Sequence, residues 1–210
     1  MNIRCLMMNR LIVSLFLLFS VAFPFKSTQK IVKKIQDSFE STSTIQIEFE
    51  QIFYWSTSET LDTLSGSFFL NPEKKYRIIT PAQEILFDGE NVWTYNKVNQ
   101  QIIVDKQYEN ENFNLKILWN DWNEYFDVNK HPDSRENVIA LKMVPKSEDT
   151  LVRDVKVFAD QNTWRVFSLV QKDLNGNVTT IYIRSCEEIQ VEKDYFNLIF
   201  SESAEIIDLR

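Results

Sequence analysis

The chain predicts a mainly β fold: a curved, incompletely closed antiparallel β-barrel, a half-barrel of about eleven strands with helices covering its concave side. Three observations point there. Apolar and polar side chains alternate with a period of two in most segments after Ser43. Asp88-Gly89 and Asn175-Gly176 stand between such runs as tight-turn signals. Helical spacing occurs in only two places, near the start and in the middle. The helices therefore cover a mouth or a face and do not alternate with strands as in a parallel sheet.

The first segment is set apart by its composition. Arg4 and Arg10 precede a short apolar run, Leu11 to Val21, and Ser20-Val21-Ala22 supplies the small residues of a cleavage site. The run is too short to span a bilayer, which takes about 20 apolar residues. Residues 1–22 read as a signal peptide, and 23–210 as one domain. Among 210 residues, Phe, Tyr and Trp number 16, 7 and 5, against 3 Gly. The formal charge is −7, and losing the signal peptide removes two Arg and no acid. An acidic chain without a basic stripe does not fit nucleic acid. Cys5 lies in the signal peptide, so Cys186 is left without a disulfide partner and reads as a small buried hydrophobe.

The first element is a helix, Thr28 to Glu40, capped by Ser27 or Thr28, with Ile31, Val32, Ile35 and Phe39 on one stripe. A long strand follows, with Ile45, Ile47, Phe49, Gln51, Phe53 and Trp55 on one face and Glu48 and Glu50 on the other. Leu61 to Leu70 is the next strand, ended by Asn71-Pro72. Tyr76 to Thr80, Gln83 to Phe87, Asn91 to Tyr95 and Gln101 to Asp105 continue a meander. Tyr108 to Glu124 breaks the period and reads as one or two short helices. Strands return at Glu124 to Val128, Val138 to Val144, Leu151 to Ala159, Val166 to Lys172, Val178 to Cys186 and Phe196 to Phe200.

Catalytic and metal chemistry have little to work with. The single histidine, His131, precedes Pro132 in a polar loop. One His and one mature Cys do not make a zinc site. There is no nucleophile elbow and no phosphate-cradling glycine loop. Glu48 and Glu50 are the carboxylate pair an acid–base enzyme would use, although alternate acids on a strand ordinarily mark a wet face. No cofactor is implied. About eleven strands enclose more room than side chains of this size fill, since eight suffice for a packed interior. Such a hollow suits a lipid.

Five motifs in order carry a resemblance over nearly all the mature chain. They are Ile45-x-Ile47-x-Phe49-x-Gln51 behind the helix; Gly66 and Phe68 followed by Pro72, Arg77 and Pro81; Asp88-Gly89 with Trp93 and Tyr95, then Gln100 or Gln101; the Asn175-Gly176 hairpin; and Asp194-Tyr195-Phe196-x-Leu198-x-Phe200. The chain resembles the LolA-type periplasmic outer-membrane lipoprotein carriers. The resemblance implies a monomeric periplasmic carrier, not an enzyme. It would take acylated lipoproteins from an inner-membrane lipoprotein-releasing ABC transporter to an outer-membrane acceptor. It also implies a lid latched by an Arg just before the first proline. Asn71 holds that place here, with Lys74, Lys75 and Arg77 as possible substitutes.

The candidate cavity wall comes from the apolar faces. The helix supplies Ile35 and Phe39, and the first long strand Ile45, Ile47 and Phe49. Phe68 and Leu70 follow, then Tyr76, Ile78, Ile85 and Val92. Trp93 and Tyr95 alternate to the opposite face from Val92. Each wall residue also suits plain core packing. Three other readings stand beside the carrier: a related half-barrel that binds or senses lipids or lipoproteins, a secreted enzyme using acidic residues, and a surface-interaction protein whose cavity is simply a filled core.

Overall fold

The computed structural model describes residues 25–106, 122–148, 150–197 and 204–210, with side chains from 28 onward. The predicted signal peptide and nearly all of the predicted middle helices lie outside the described residues. Helix α1 (Phe25–Asp37) leads into β1 (Thr44–Trp55), β2 (Thr60–Leu70), β3 (Tyr76–Ile79), β4 (Gln83–Phe87), β5 (Asn91–Asn96) and β6 (Gln101–Lys106). After it come α2 (Trp122–Tyr125), β7 (Phe126–Lys130), β8 (Val138–Pro145), β9 (Val152–Asp160), β10 (Val166–Asp173), β11 (Val178–Ile189) and β12 (Glu205–Asp208).

These twelve strands form one sheet, in the order β12-β6-β5-β4-β3-β2-β1-β11-β10-β9-β8-β7. Two meanders meet at the seam between β1 and β11, and the end strands β12 and β7 do not pair with each other. The half-barrel is therefore open, as expected. Each of these ladders is antiparallel except β12 on β6, which is parallel.

Curvature follows from packing. Side chains from nine adjacent strands, β4 through β7, share one apolar cluster with Val32 and Ile35 of α1. Laid flat at about 4.8 Å per strand, nine strands span ~40 Å, while a helix is only about 10 Å across. Only a bent sheet brings both wings to one helix. Register shifts supply the bend. One falls between Glu48 and Phe49 on the β1–β11 seam, and two more lie between β9 and β10. The seam bulge leaves Arg184 unpaired in the ladder, and its guanidinium bonds Glu50.

Several boundaries differ from expectation. The helix starts at Phe25 and stops at Asp37, because the N–H groups of Phe39 and Glu40 fold back on the carbonyls of Gln36 and Asp37 and tighten the last turn. Phe39 is thus in a turn beyond the helix. Glu124 and Tyr125 are helical, and the strand predicted there begins at Phe126. Phe196 does not start a strand, and residues 198–200 of the one predicted there lie outside the described residues. Lys193 to Asn197 form a turn, closed by Tyr195 N–H to Glu192 O at 3.0 Å and Asn197 N–H to Asp194 O at 2.8 Å. Phe196 packs instead against Phe69 and Leu86. The short strand β12 has no counterpart in the sequence reading.

Two glycines answer to geometry. A Cβ on Gly66 would sit 2.6 Å from Ile79 O and 2.9 Å from the Phe49 ring. Gly89 has φ of 108°, which the β4–β5 turn requires. Asp88 finishes that turn by accepting from the N–H of Glu90 and Asn91 and from the Trp93 indole at 2.7 Å. The Asp-Gly-x-x-x-Trp motif is thus one hydrogen-bonded unit.

Two outcomes are expected. Gly66→Ala forces backbone and the Phe49 ring apart and costs about 1–3 kcal/mol. Thermal unfolding should fall by roughly 2–4 °C per kcal/mol; an unchanged midpoint would mean that strands β2 and β3 separate freely. For Asp88, burial pushes the carboxyl up, but its hydrogen bonds outweigh this and hold it below the ordinary 3.8. Its folded value is depressed, so its stabilisation is complete above 3.8 and fades as pH falls through the lower value. The midpoint gap between wild type and Asp88→Asn should shrink below pH 3.8 and stay constant from there to neutrality.

Candidate functional site

Cross-strand register puts the wall residues on one face. Ile45 pairs with Leu70 and Ile47 with Phe68, then Leu70 with Tyr76 and Phe68 with Ile78. Ile78 pairs with Ile85, and Phe87 with both Tyr76 and Val92. Paired residues point to the same side of a sheet, so all nine strand candidates share the concave face with Ile35 and Phe39. Ile35, Phe39, Ile45, Ile47, Phe49, Phe68, Leu70 and Tyr76 are buried there against one another, so the hollow expected from the strand count is filled in this form by side chains of the sheet and of α1. Ile78 and Ile85 are half-buried against them. Val92 lies farther out, half-buried and opposite Asp105, at the polar margin.

Other wall residues were not singled out from sequence. Phe87 stacks on Tyr76 at 5.3 Å, and Tyr76 on Phe68 at 6.1 Å, a ladder of three rings across three strands. The period-two step from Ile85 was its signal. The second meander adds Leu141, Val157 and Leu169, all fully buried. Trp122 of α2 is fully buried too; it lies at the end of the middle segment read as helical, where it was not singled out. Among the described residues one buried side-chain atom, Gln171 Oε1, has no hydrogen-bond partner; Gln171 is on the face shared with Val155.

Helix α1 covers this face and is tied by light polar contacts to Trp164. Ser38 Oγ lies 2.6 Å from Ile35 O and 3.2 Å from Trp164 O. Lys34 Nζ sits 4.1 Å over the Trp164 ring. Trp164 occupies the β9–β10 turn with φ of 62°, a conformation a large side chain adopts only where its surroundings hold it. Its N–H bonds Asp160 O at 2.8 Å.

The residue before the first proline does something else. Asn71 Oδ1 accepts the Lys75 N–H at 2.8 Å and Asn71 O accepts the Lys74 N–H at 3.0 Å, shaping the β2–β3 turn. Arg77 cannot stand in for a lid arginine, because it lies on the convex face. There it bonds Glu84 at 2.7 Å and Tyr195 O at 2.7 Å, and stacks over the Tyr195 ring at 4.9 Å. Lys75 pairs with Glu73 at 3.1 Å. Lys74 borders a cavity of about 240 Å³ between the α1–β1 connection and the β2–β3 turn.

The acidic alternatives are occupied by structure. Glu48 accepts from Gln46 at 2.7 Å and Ser67 at 3.0 Å, and Glu50 is paired with Arg184. His131 sits in the β7–β8 connection, its Nδ1 accepting the Asp133 N–H at 3.2 Å. Cys186 packs against the concave core, and burial pushes its thiol pKa up, away from the reactive thiolate.

Fold and face together define a class: open half-barrels whose apolar concavity is closed by a helix and not by a second sheet. The chain belongs to the LolA family, outer membrane lipoprotein carrier protein LolA, whose pattern matches residues 40–199. It is 24% identical over 187 residues to the outer-membrane lipoprotein carrier protein of Shewanella sp. (strain MR-7), covering 85% of this chain and 86% of that protein. The same identity extends over 200 residues of the carrier protein of Haemophilus ducreyi, with 91% and 90% covered. An uncharacterized conserved protein of known structure from Thermus thermophilus shares the fold, with a TM-score of 0.55 at 12% identity over 87% of this chain and 99% of that one.

If the Lys34–Trp164 contact holds the helix down, Lys34→Gln removes about 0.5–1 kcal/mol. Amide exchange in α1 should then quicken roughly two- to fivefold by local opening, with strand β1 unaffected. Equal acceleration in both elements would mean that the contact stabilises the whole fold and does not specifically hold the helix.

Proposed function

We propose that this protein is a periplasmic carrier that encloses the acyl chains of lipoproteins between α1 and the concave face and moves them from the inner to the outer membrane. The observation that carries this reading is the cover itself. One amphipathic helix, held by the Ser38 and Lys34 contacts with Trp164, seals a face that presents apolar side chains from nine strands. Family membership supports the same task, as do relatives named for carrying outer-membrane lipoproteins.

The physics requires a protein of this kind. Exposing one acyl chain of on the order of 14 methylenes costs ~11 kcal/mol at about 0.8 per CH₂. Unaided passage through water is negligible, so the chains must be shielded, and shielding must be reversible. In the closed form the wall residues pack on one another, so loading means that acyl chains take the place of Val32, Ile35 and Phe39 against the sheet. Donation comes from an inner-membrane lipoprotein-releasing ABC transporter and delivery goes to an outer-membrane acceptor. The carrier acts by binding and makes or breaks no covalent bond.

The test is incubation of the purified protein with spheroplasts containing labelled lipoproteins. Release of label into a soluble complex with the protein is expected, and its absence overturns the carrier reading. Phe49→Glu places a charge against Gly66 in the middle of the wall and should abolish loading. A folded Phe49→Glu protein that still loads removes Phe49 from the wall.

A further inference from the structure

Several large apolar side chains that face solvent gather at one end of the sheet. They are Tyr54, Trp55, Leu61, Leu151 and Leu174. Strand β1 ends there, with Trp55 opposite Thr60 at the start of β2 and Tyr54 opposite Val178 at the start of β11. The β10–β11 turn lies alongside, and Leu174 N–H bonds Leu151 O, just ahead of β9, at 2.9 Å. Leu61, Leu151 and Leu174 are 66, 70 and 60% exposed. At the other end of the sheet the β2–β3 turn carries Glu73, Lys74 and Lys75, and the β4–β5 turn Asp88 and Glu90. The half-barrel thus has one apolar rim and one polar rim.

We propose that the apolar rim is a membrane-docking surface, seated in the headgroup region of a zwitterionic phospholipid bilayer with its leucines reaching the acyl boundary. Docking of this kind is separate from cargo binding, because it uses the outer ends of the hairpins and not the space under α1.

The rim is built to stay in place. Ser56 N–H donates to Asn177 Oδ1 at 3.0 Å, and Ser56 Oγ lies 2.7 Å from Asn175 O, so the β1–β2 and β10–β11 turns are tied together. Asn177 is held in turn by Asp173, twice at 2.8 Å. The Trp55 indole donates to Asp62 at 2.6 Å, and its ring stacks on Phe53 at 6.0 Å. A rigid surface loses little conformational freedom on docking.

Three features select a bilayer over a protein. The five side chains stand on three separate connections, and a fluid bilayer receives separate points where a protein needs matching pockets. The polar side chains among them, Ser56, Asn177 and Asp62, already bond one another or Trp55, which leaves recognition to non-directional apolar contact. Trp and Tyr beside Leu is also the composition that sits at a membrane interface. Charge decides the kind of lipid. Lys146, Arg153 and Lys172 stand among Glu59, Asp62, Glu148 and Asp173, so no basic excess draws an anionic surface. The five side chains expose on the order of 400 Å² of apolar surface, a size at which a patch on a monomer marks an interaction site.

The experiment sediments the purified protein with sucrose-loaded vesicles of phosphatidylcholine and phosphatidylethanolamine. Wild type should travel with the vesicles, and high salt should leave the bound fraction unchanged. Leu174→Ser should lower the partition coefficient about tenfold, and Leu151→Ser with Leu174→Ser about a hundredfold, as loss of one and then two inserted leucines implies. Leu209→Ser, 57% exposed beside β12 and away from the rim, should bind as wild type does. All three positions are exposed, so the variants keep the fold, and an unchanged thermal midpoint checks this. Lipids brominated on the acyl chain should quench tryptophan emission in wild type and much less in Trp55→Phe. Wild type that stays in the supernatant, rim variants that sediment like wild type, or equal quenching in Trp55→Phe overturns the docking surface. Sedimentation with native membranes but not with protein-free vesicles also overturns it and assigns the rim to a protein. Each of these failures leaves the spheroplast test of carriage standing.

Discussion

An open sheet with an apolar concave face cannot stay bare in water, and this requirement shapes the molecule. Twelve strands that do not close leave the face to be covered by something other than a partner sheet. Among the described residues the 13-residue helix α1 does most of it, with Trp122 of α2 buried in the same cluster. For one helix to touch both wings, the sheet must bend, and the bulges on the β1–β11 and β9–β10 ladders are placed to bend it. Gly66 belongs to the same solution, since only a residue without a side chain lets the Phe49 ring lie down on strand β2 beside Ile79.

The two faces are sealed differently. The convex face has its own small core of Phe69, Leu86 and Phe196, and the Arg77–Glu84 pair is clamped under Tyr195. Arg77 and Glu84 are only 16% and 15% exposed, and each is satisfied by charge-assisted bonds. Among the described residues no comparable ion pair fastens α1 to the concave side. Its stripe is apolar, its ties to Trp164 are one hydroxyl and one cation over a ring, and its Lys33–Asp37 pair is a solvent-facing bond within the helix itself. The asymmetry suits the proposed carrier role: charged bonds cross-link the back, and apolar packing with two light contacts holds the front.

Magnitudes favour exchange over rupture. Burying Val32, Ile35 and Phe39 contributes on the order of 6 kcal/mol, at roughly 2 per side chain. One acyl chain gains about 11 kcal/mol by leaving water. In the proposed loading, hydrocarbon that takes the place of the helix side chains would more than offset their displacement and keep the wall dry. The fit to such a guest is non-directional, because apolar burial depends on area and not on keyed polar contacts.

Alternation alone told which side chains share a face. The faces of β1 through β5 were readable because the side-chain period of a strand is two and the turns between them are marked by Pro72, Pro81 and Asp88-Gly89. The concave wall from Ile45 to Ile85 follows from that periodicity. The burial of Phe196 in a turn and strand β12 did not follow, since each depends on a partner distant in sequence; the position of Phe39 past the helix end is set by the tightened last turn, which apolar spacing does not mark. Nor did the placing of Arg77 on the back of the sheet or the hold of Trp164 on α1. The contacts Ser38 to Trp164 and Arg77 to Tyr195 join residues 126 and 118 positions apart. Local pattern carries no record of such pairs, and only folding brings them together.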